Sequence, residues 1–98
     1  MVKKTVKKAA RRSVIFKLED APGRQVFVAG CFSNWEPKFK LVDRDGVGVY
    51  TARILLEPGD YQYKFVVDGE WRLDSANPNF VPNSFGTLNS LLKVSRNN

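Results

Sequence analysis

The chain has 98 residues, is 43% hydrophobic and 12% aromatic, and carries a formal net charge of +6; that is one domain with a modest core, and at this size only about 60–65% of the unfolded surface is buried on folding. With no histidine and one cysteine, Ser/His and Cys/His nucleophile systems and an internal disulfide are excluded, and the lone Cys31 fits a reducing compartment. Lys3, Lys4, Lys7, Lys8, Arg11 and Arg12 account for the whole net charge, so the body is formally neutral and lacks the basic stripe of a nucleic-acid-binding domain, while no apolar run approaches the ~20 residues of a membrane span.

Residues 1–12 read as a basic flexible tail, because blocks of like charge repel and stay solvated. They lack the apolar run of a secretory signal, and the expected compartment is the cytoplasm. Residues 13–98 form the module. Its first strand is predicted over Ser13–Leu18, followed by a turn containing Pro22-Gly23 and a second strand over Gln25–Cys31. Phe32–Lys38 reads as a loop and Phe39–Asp43 as a short edge strand. After the Asp43-Arg44-Asp45-Gly46 turn comes a strand over Val47–Leu55, then a turn at Glu57-Pro58-Gly59-Asp60. Tyr61–Val67 is strongly β, Asp68-Gly69 turns, and Glu70–Asp74 returns. Ser75–Ser84 reads as a loop with Pro78 and Pro82, and Phe85–Val94 as the last strand. Short strands about 8–12 residues apart, separated by Gly/Pro/Asp/Asn turns and with no helical periodicity, predict an all-β sandwich or barrel.

The alternation assigns faces. Tyr61, Tyr63, Phe65 and Val67 should face the core, leaving Gln62, Lys64 and Val66 outward. Asp68-Gly69 is a two-residue hairpin signal, so Val67 should pair with Glu70, Val66 with Trp71 and Lys64 with Leu73. Directly paired residues project to one face, which puts Trp71 beside Lys64. On the last strand Leu88, Ser90, Leu92 and Val94 form the better core set, leaving Thr87 and Asn89 outward. Both tryptophans, Trp35 and Trp71, sit at turns. Flat apolar rings at loop edges indicate a stacking surface for something flat, such as a sugar ring.

Four ordered stretches then carry a family resemblance. Val26-Phe27-Val28-Ala29-Gly30-Cys31-Phe32-Ser33-Asn34-Trp35 resembles the "VFVSGSFNNW" stretch of family 48 carbohydrate-binding modules. Gly59–Trp71 resembles the "YKFFVDGQW" segment with its approach, Asp74-Ser75-Ala76-Asn77-Pro78 the "DPSEP" region, and Phe85-Gly86-Thr87-Leu88-Asn89-Ser90 the closing "LGTVNN". The likeness covers residues 13–94 and is strongest to the glycogen-binding domains of AMP-activated protein kinase beta subunits, with isoamylase N-terminal domains more distant. It implies an immunoglobulin-like (early-set) antiparallel β-sandwich. It also implies a carbohydrate site in which Trp35 and Trp71 stack on glucose rings while Lys64, Thr87 and Asn89 bond to hydroxyls. Phe85 stands where the family has a leucine that pushes against the curved glucan, and Cys31 where a serine is common. The resemblance is to the module alone, so no kinase-scaffolding role is expected.

Glycoside hydrolysis needs two carboxyls at a controlled separation. Asp68 is explained by its turn, and Glu70 points away from Trp71 in the same strand. Neither a zinc pattern nor a phosphate-cradling glycine loop occurs. The expected function is noncatalytic binding of α-1,4-linked glucans, glycogen or starch, with no metal or cofactor. A glycogen- or starch-metabolising enzyme is the candidate protein partner. An immunoglobulin-like interaction domain without sugar binding is the alternative.

Overall fold

A computed structural model describes residues 10–96. Eight strands follow one another: β1 (Arg12–Glu19), β2 (Val26–Gly30), β3 (Phe39–Leu41), β4 (Val49–Leu56), β5 (Gly59–Val67), β6 (Glu70–Arg72), β7 (Phe80–Pro82) and β8 (Leu88–Val94). A single 3₁₀ turn, Cys31–Ser33, follows β2, and there is no α-helix among the described residues. Strands β1 and β4 form one sheet. The other runs β3-β2-β5-β8-β7, with β6 also paired to β5. Every pairing is antiparallel. The fold is the expected all-β antiparallel sandwich of the immunoglobulin-like kind.

Period-2 patterning explains how the two sheets close. In β1, Val14, Phe16 and Leu18 turn inward opposite Ile54, Ala52 and Tyr50 of β4, while Ile15 and Arg53 pair on the outside. The facing sheet supplies Val26, Val28, Leu41, Tyr63, Phe65 and Val67. Phe16 meets Tyr63 edge-on at 5.1 Å and Phe32 at 5.5 Å. Burial of each large side chain of this kind contributes about 1.5–3 kcal/mol. The ring–ring contacts of the described residues join Phe and Tyr alone, and neither tryptophan takes part in them.

Strand β5 organises the second sheet. One edge pairs with β2 over Tyr63–Val67. The opposite edge is shared: β8 holds Gly59–Tyr63 and β6 holds Phe65–Val67, so the handover falls at Lys64. The hairpin turn has positive φ at both centres, Asp68 at 51° and Gly69 at 84°, the signature of a type I′ turn. Its tip is moored to the start of β2. The Asp68 amide donates to Gln25 O at 2.8 Å, and Asp68 Oδ1 accepts from the Gln25 amide at 2.9 Å. Arg24 Nη1 reaches Asp68 Oδ2 at 3.1 Å, and Arg72 Nη1 reaches Asp20 Oδ2 at 2.7 Å. The Gln25 amide foremost, then Arg24, hold the Asp68 carboxyl below the usual carboxylate range. The Ala21 amide, with Arg72 and Arg24, does the same for Asp20.

Several boundaries differ from the sequence-based expectations. Val66 does pair with Trp71 and Val67 with Glu70, but β6 stops at Arg72, so Lys64 has no partner in Leu73. The chain turns inward there. Tyr63 Oη donates to Asp74 Oδ2 at 2.6 Å, and the Asp74 amide donates to Ser90 Oγ at 3.0 Å. Burial first, then the Asp74 bond, raises the Tyr63 phenol above its ordinary value. The expected loop over residues 75–84 contains β7, and the last strand starts at Leu88 rather than Phe85. At the other end β1 already begins at Arg12, while residues 1–9 of the expected tail lie outside the described residues.

Candidate functional site

Trp35 is placed by the turn after β2. Gly30 approaches β5 so closely that Gln62 O and Tyr63 Cβ would lie within 3.0 Å of any added Cβ. Buried Ser33 folds the next residues back: its Oγ accepts from the Gly30 amide at 3.1 Å and donates to Glu36 O at 2.9 Å. The Trp35 amide donates to Gly30 O at 2.8 Å. Asn34 and Trp35 both hold positive φ, 57° and 61°. Two consecutive left-handed non-glycine residues store about 1–2 kcal/mol each. Their surroundings over-determine that conformation and present the indole outward, 37% exposed.

Trp71 lies opposite Val66 on β6, on the outer face of the sheet, 45% exposed. Lys64, two residues before Val66, shares that face and donates through Nζ to Thr87 Oγ1 at 3.2 Å. Asn89 extends the face onto β8, donating to Gln62 Oε1 at 3.0 Å.

Asn83 builds the third wall. Its Oδ1 accepts from the Phe85 amide at 2.9 Å and the Thr87 amide at 3.1 Å. Its Nδ2 donates to Thr87 Oγ1 at 2.7 Å and to Asn89 Oδ1 at 2.9 Å. Two donated and two accepted bonds fill the capacity of an amide side chain. Asn83 is therefore an organiser that lifts Phe85 to the turn tip, where it is 89% exposed.

The six residues singled out in the sequence, Trp35, Lys64, Trp71, Phe85, Thr87 and Asn89, all line one open groove of about 620 Å³, together with Gln62, Asn83 and Ser84. That volume falls in the ~300–1,000 Å³ range of small-ligand sites. Among the described residues Lys64 is the one charged side chain along it, and no carboxylate lines it. Three aromatic rings supply its apolar surface. The polar edge is rich in donors. Thr87 Oγ1 already accepts from Lys64 and Asn83, which leaves its O–H to donate. Lys64 retains further N–H groups, and the Gln62 amide nitrogen adds more. The groove can cover flat apolar faces and donate to oxygens at their rims.

The alternation puts Gln62 on the outer face beside Lys64, but Gln62 is not among the site residues that the sequence singles out, and Asn83 falls in the loop expected over residues 75–84. The Pro82-Asn83-Ser84-Phe85-Gly86 run carried a turn signal, but not the four bonds that Asn83 makes.

Residues 13–98 match the family described as the glycogen recognition site of AMP-activated protein kinase. The chain belongs to this family. It is 38% identical over 74 residues to the human beta-2 subunit of 5'-AMP-activated protein kinase, covering 76% of this chain and 26% of the relative. To the pig beta-1 subunit it is 33% identical over 88 residues, covering 90% of this chain and 68% of the relative. To human beta-1 the identity is again 33% over 88 residues, with 31% of that relative covered. The chain thus spans about a quarter of the length of the beta-2 relatives it matches. Family membership makes it a noncatalytic carbohydrate-binding module, with polar contacts arrayed beside a Phe/Tyr cluster.

Proposed function

We propose that the groove binds α-1,4-linked glucan chains such as glycogen or starch. Trp35 and Trp71 stack on successive glucose rings, Phe85 presses on the chain from the turn tip, and Lys64, Thr87 and Asn89 bond to hydroxyl edges. The observation that carries this reading is the convergence of all six residues on one donor-rich groove with no carboxylate among the described residues that line it. The family description, a glycogen recognition site, supports the choice of glucan.

The exposed parts of the two indoles amount to about 200 Å², taking ~250 Å² for a whole tryptophan side chain. Covering them gives about 5 kcal/mol gross at ~25 cal/mol per Å². Ordering and desolvation offset part of this and part is returned by hydrogen bonds, so the expected Kd is about 0.1–1 mM. Weak single-site affinity suits a polymer, on which linked sites gain avidity. The proposed setting is cytoplasmic, beside a glycogen- or starch-metabolising enzyme. The test is a fluorescence titration with β-cyclodextrin or maltoheptaose of the wild type and a Trp35→Ala/Trp71→Ala double variant. Saturable quenching or enhancement, with binding lost in the double variant by calorimetry, is expected. A wild-type signal unmoved at about ten times the expected Kd would leave a packing or interaction domain as the better reading.

A further inference from the structure

Next to the main groove lies a smaller hollow of about 240 Å³, lined by Cys31, Trp35, Asp60, Gln62 and Leu91. Trp35 and Gln62 line both depressions. They form a shared wall, which makes the two depressions immediate neighbours on one face. The hollow has under half the volume of the main groove, which suits one ring rather than several.

We propose that this hollow is an additional subsite for one further neutral glycosyl unit, extending the bound glucan past Trp35. The proposal rests on the glucan reading above. Its chemistry differs from that of the main groove. Leu91 and the Trp35 indole offer apolar surface. The Asp60 carboxylate, exposed and without a hydrogen-bond or ion-pair partner among the described residues, offers two acceptor oxygens to a pair of hydroxyl donors. Among the described residues Asp60 is the one charged group that lines the hollow, with Lys93 opposite it in the strand pairing but outside the lining, so a phosphorylated or otherwise anionic unit is disfavoured against the carboxylate. The main groove is donor-rich around Lys64, and this end is acceptor-rich. That polarity orients the chain and makes affinity depend on its length. Cys31 forms part of the floor, its sulfur accepting from the Gln62 amide at 3.3 Å, and its exposed thiol gives a handle for filling the space.

The test uses the folded full chain with Cys31 alkylated by N-ethylmaleimide, and calorimetric titration with maltotriose and maltoheptaose. Cys31→Ser treated with the same reagent is the control, and Asp60→Ala is the second variant. Blocking one hydrogen-bonded subsite is worth about fivefold. Maltoheptaose should weaken by about that factor on alkylation, while maltotriose changes by about twofold at most. Asp60→Ala should weaken maltoheptaose selectively, and the serine variant should bind each sugar equally before and after treatment with the reagent, which shows that the loss comes from the adduct at Cys31. Equal weakening of both sugars, or no change in either, overturns the subsite. Failure of the unmodified protein to bind either sugar overturns the glucan reading itself.

Discussion

Replacing Gly30 by alanine tests how Trp35 is held. Gly30 has φ −169°, an extended backbone open to any residue, so its requirement is space rather than torsion. An alanine Cβ would sit 2.4 Å from Gln62 O, 2.7 Å from Phe32 Cε2 and 3.0 Å from Tyr63 Cβ. Two of those atoms belong to β5, the direct neighbour of Gly30 in the sheet. Phe32 is pinned between Phe16 and Tyr61. Relief therefore requires β2 and β5 to part at the end that carries the Trp35 turn. Overpacking costs about 1–3 kcal/mol, and an immovable carbonyl puts this site at about 3. Loss of backbone freedom in the unfolded chain returns about 0.4–1 kcal/mol. The net is about 2–2.5 kcal/mol, or about 10–20 °C in Tm for a domain of this size. Gly69→Ala supplies the contrast. Its φ is +84° with nothing within 4 Å of the added carbon, so only torsional strain of about 1 kcal/mol and about 4–8 °C is expected. Thermal unfolding by circular dichroism, with maltoheptaose titration of both variants, reads the result. Gly30→Ala should lose sugar binding as well as stability, and Gly69→Ala only some stability. A Tm loss at Gly30 no larger than at Gly69 would refute the steric account.

Phe85→Ser should leave Tm within about 2 °C, since an exposed side chain adds little to the fold, yet weaken glucan binding severalfold by titration. Asn83→Ala removes the four bonds that shape the 83–87 turn. Glucan affinity should drop about five- to tenfold, with a change in urea midpoint smaller than that of Gly30→Ala. Asp20 and Asp68 have carboxyl pKa values lowered from 3.8. Below that value the unfolded chain binds more protons, so stability present above it is lost as pH falls through the lower folded values. Tm measured on an acid series should decline there, and less steeply in Asp20→Asn/Asp68→Asn. The Tyr63 phenol is raised from 10.0. Its contribution is complete below that pH and is lost as pH rises toward the folded value, so the alkaline decline in urea midpoint should flatten in Tyr63→Phe.

Much of the site could be read from the chain because short-range rules govern it. Asp68-Gly69 fixes a two-residue turn, that turn fixes Val66 opposite Trp71, and the pairing puts the indole on the Lys64 face. Local rules ended where the shared edge of β5 began. Lys64 was expected to face Leu73, but β8 takes over the edge at Tyr63 and Asp74 is drawn down to the phenol. Phe80-Val81-Pro82 is too short, and its proline too disruptive, to announce a strand. It pairs only because β8 is already there to receive it. The role of Asn83 is hidden from the sequence for a related reason. Its role lies in bonds to Phe85, Thr87 and Asn89, and a single polar residue in a loop carries no sign of them.

The paired left-handed residues Asn34 and Trp35 have a consequence for anyone improving this domain. Glycine relieves the torsion at Asn34. At Trp35 it would also forfeit the covered part of the indole, about 160 Å² and about 4 kcal/mol, more than the torsion stores. Thermal selection and ligand selection therefore agree on keeping this ring, and libraries built on this scaffold can vary residue 34 while Trp35 is held fixed.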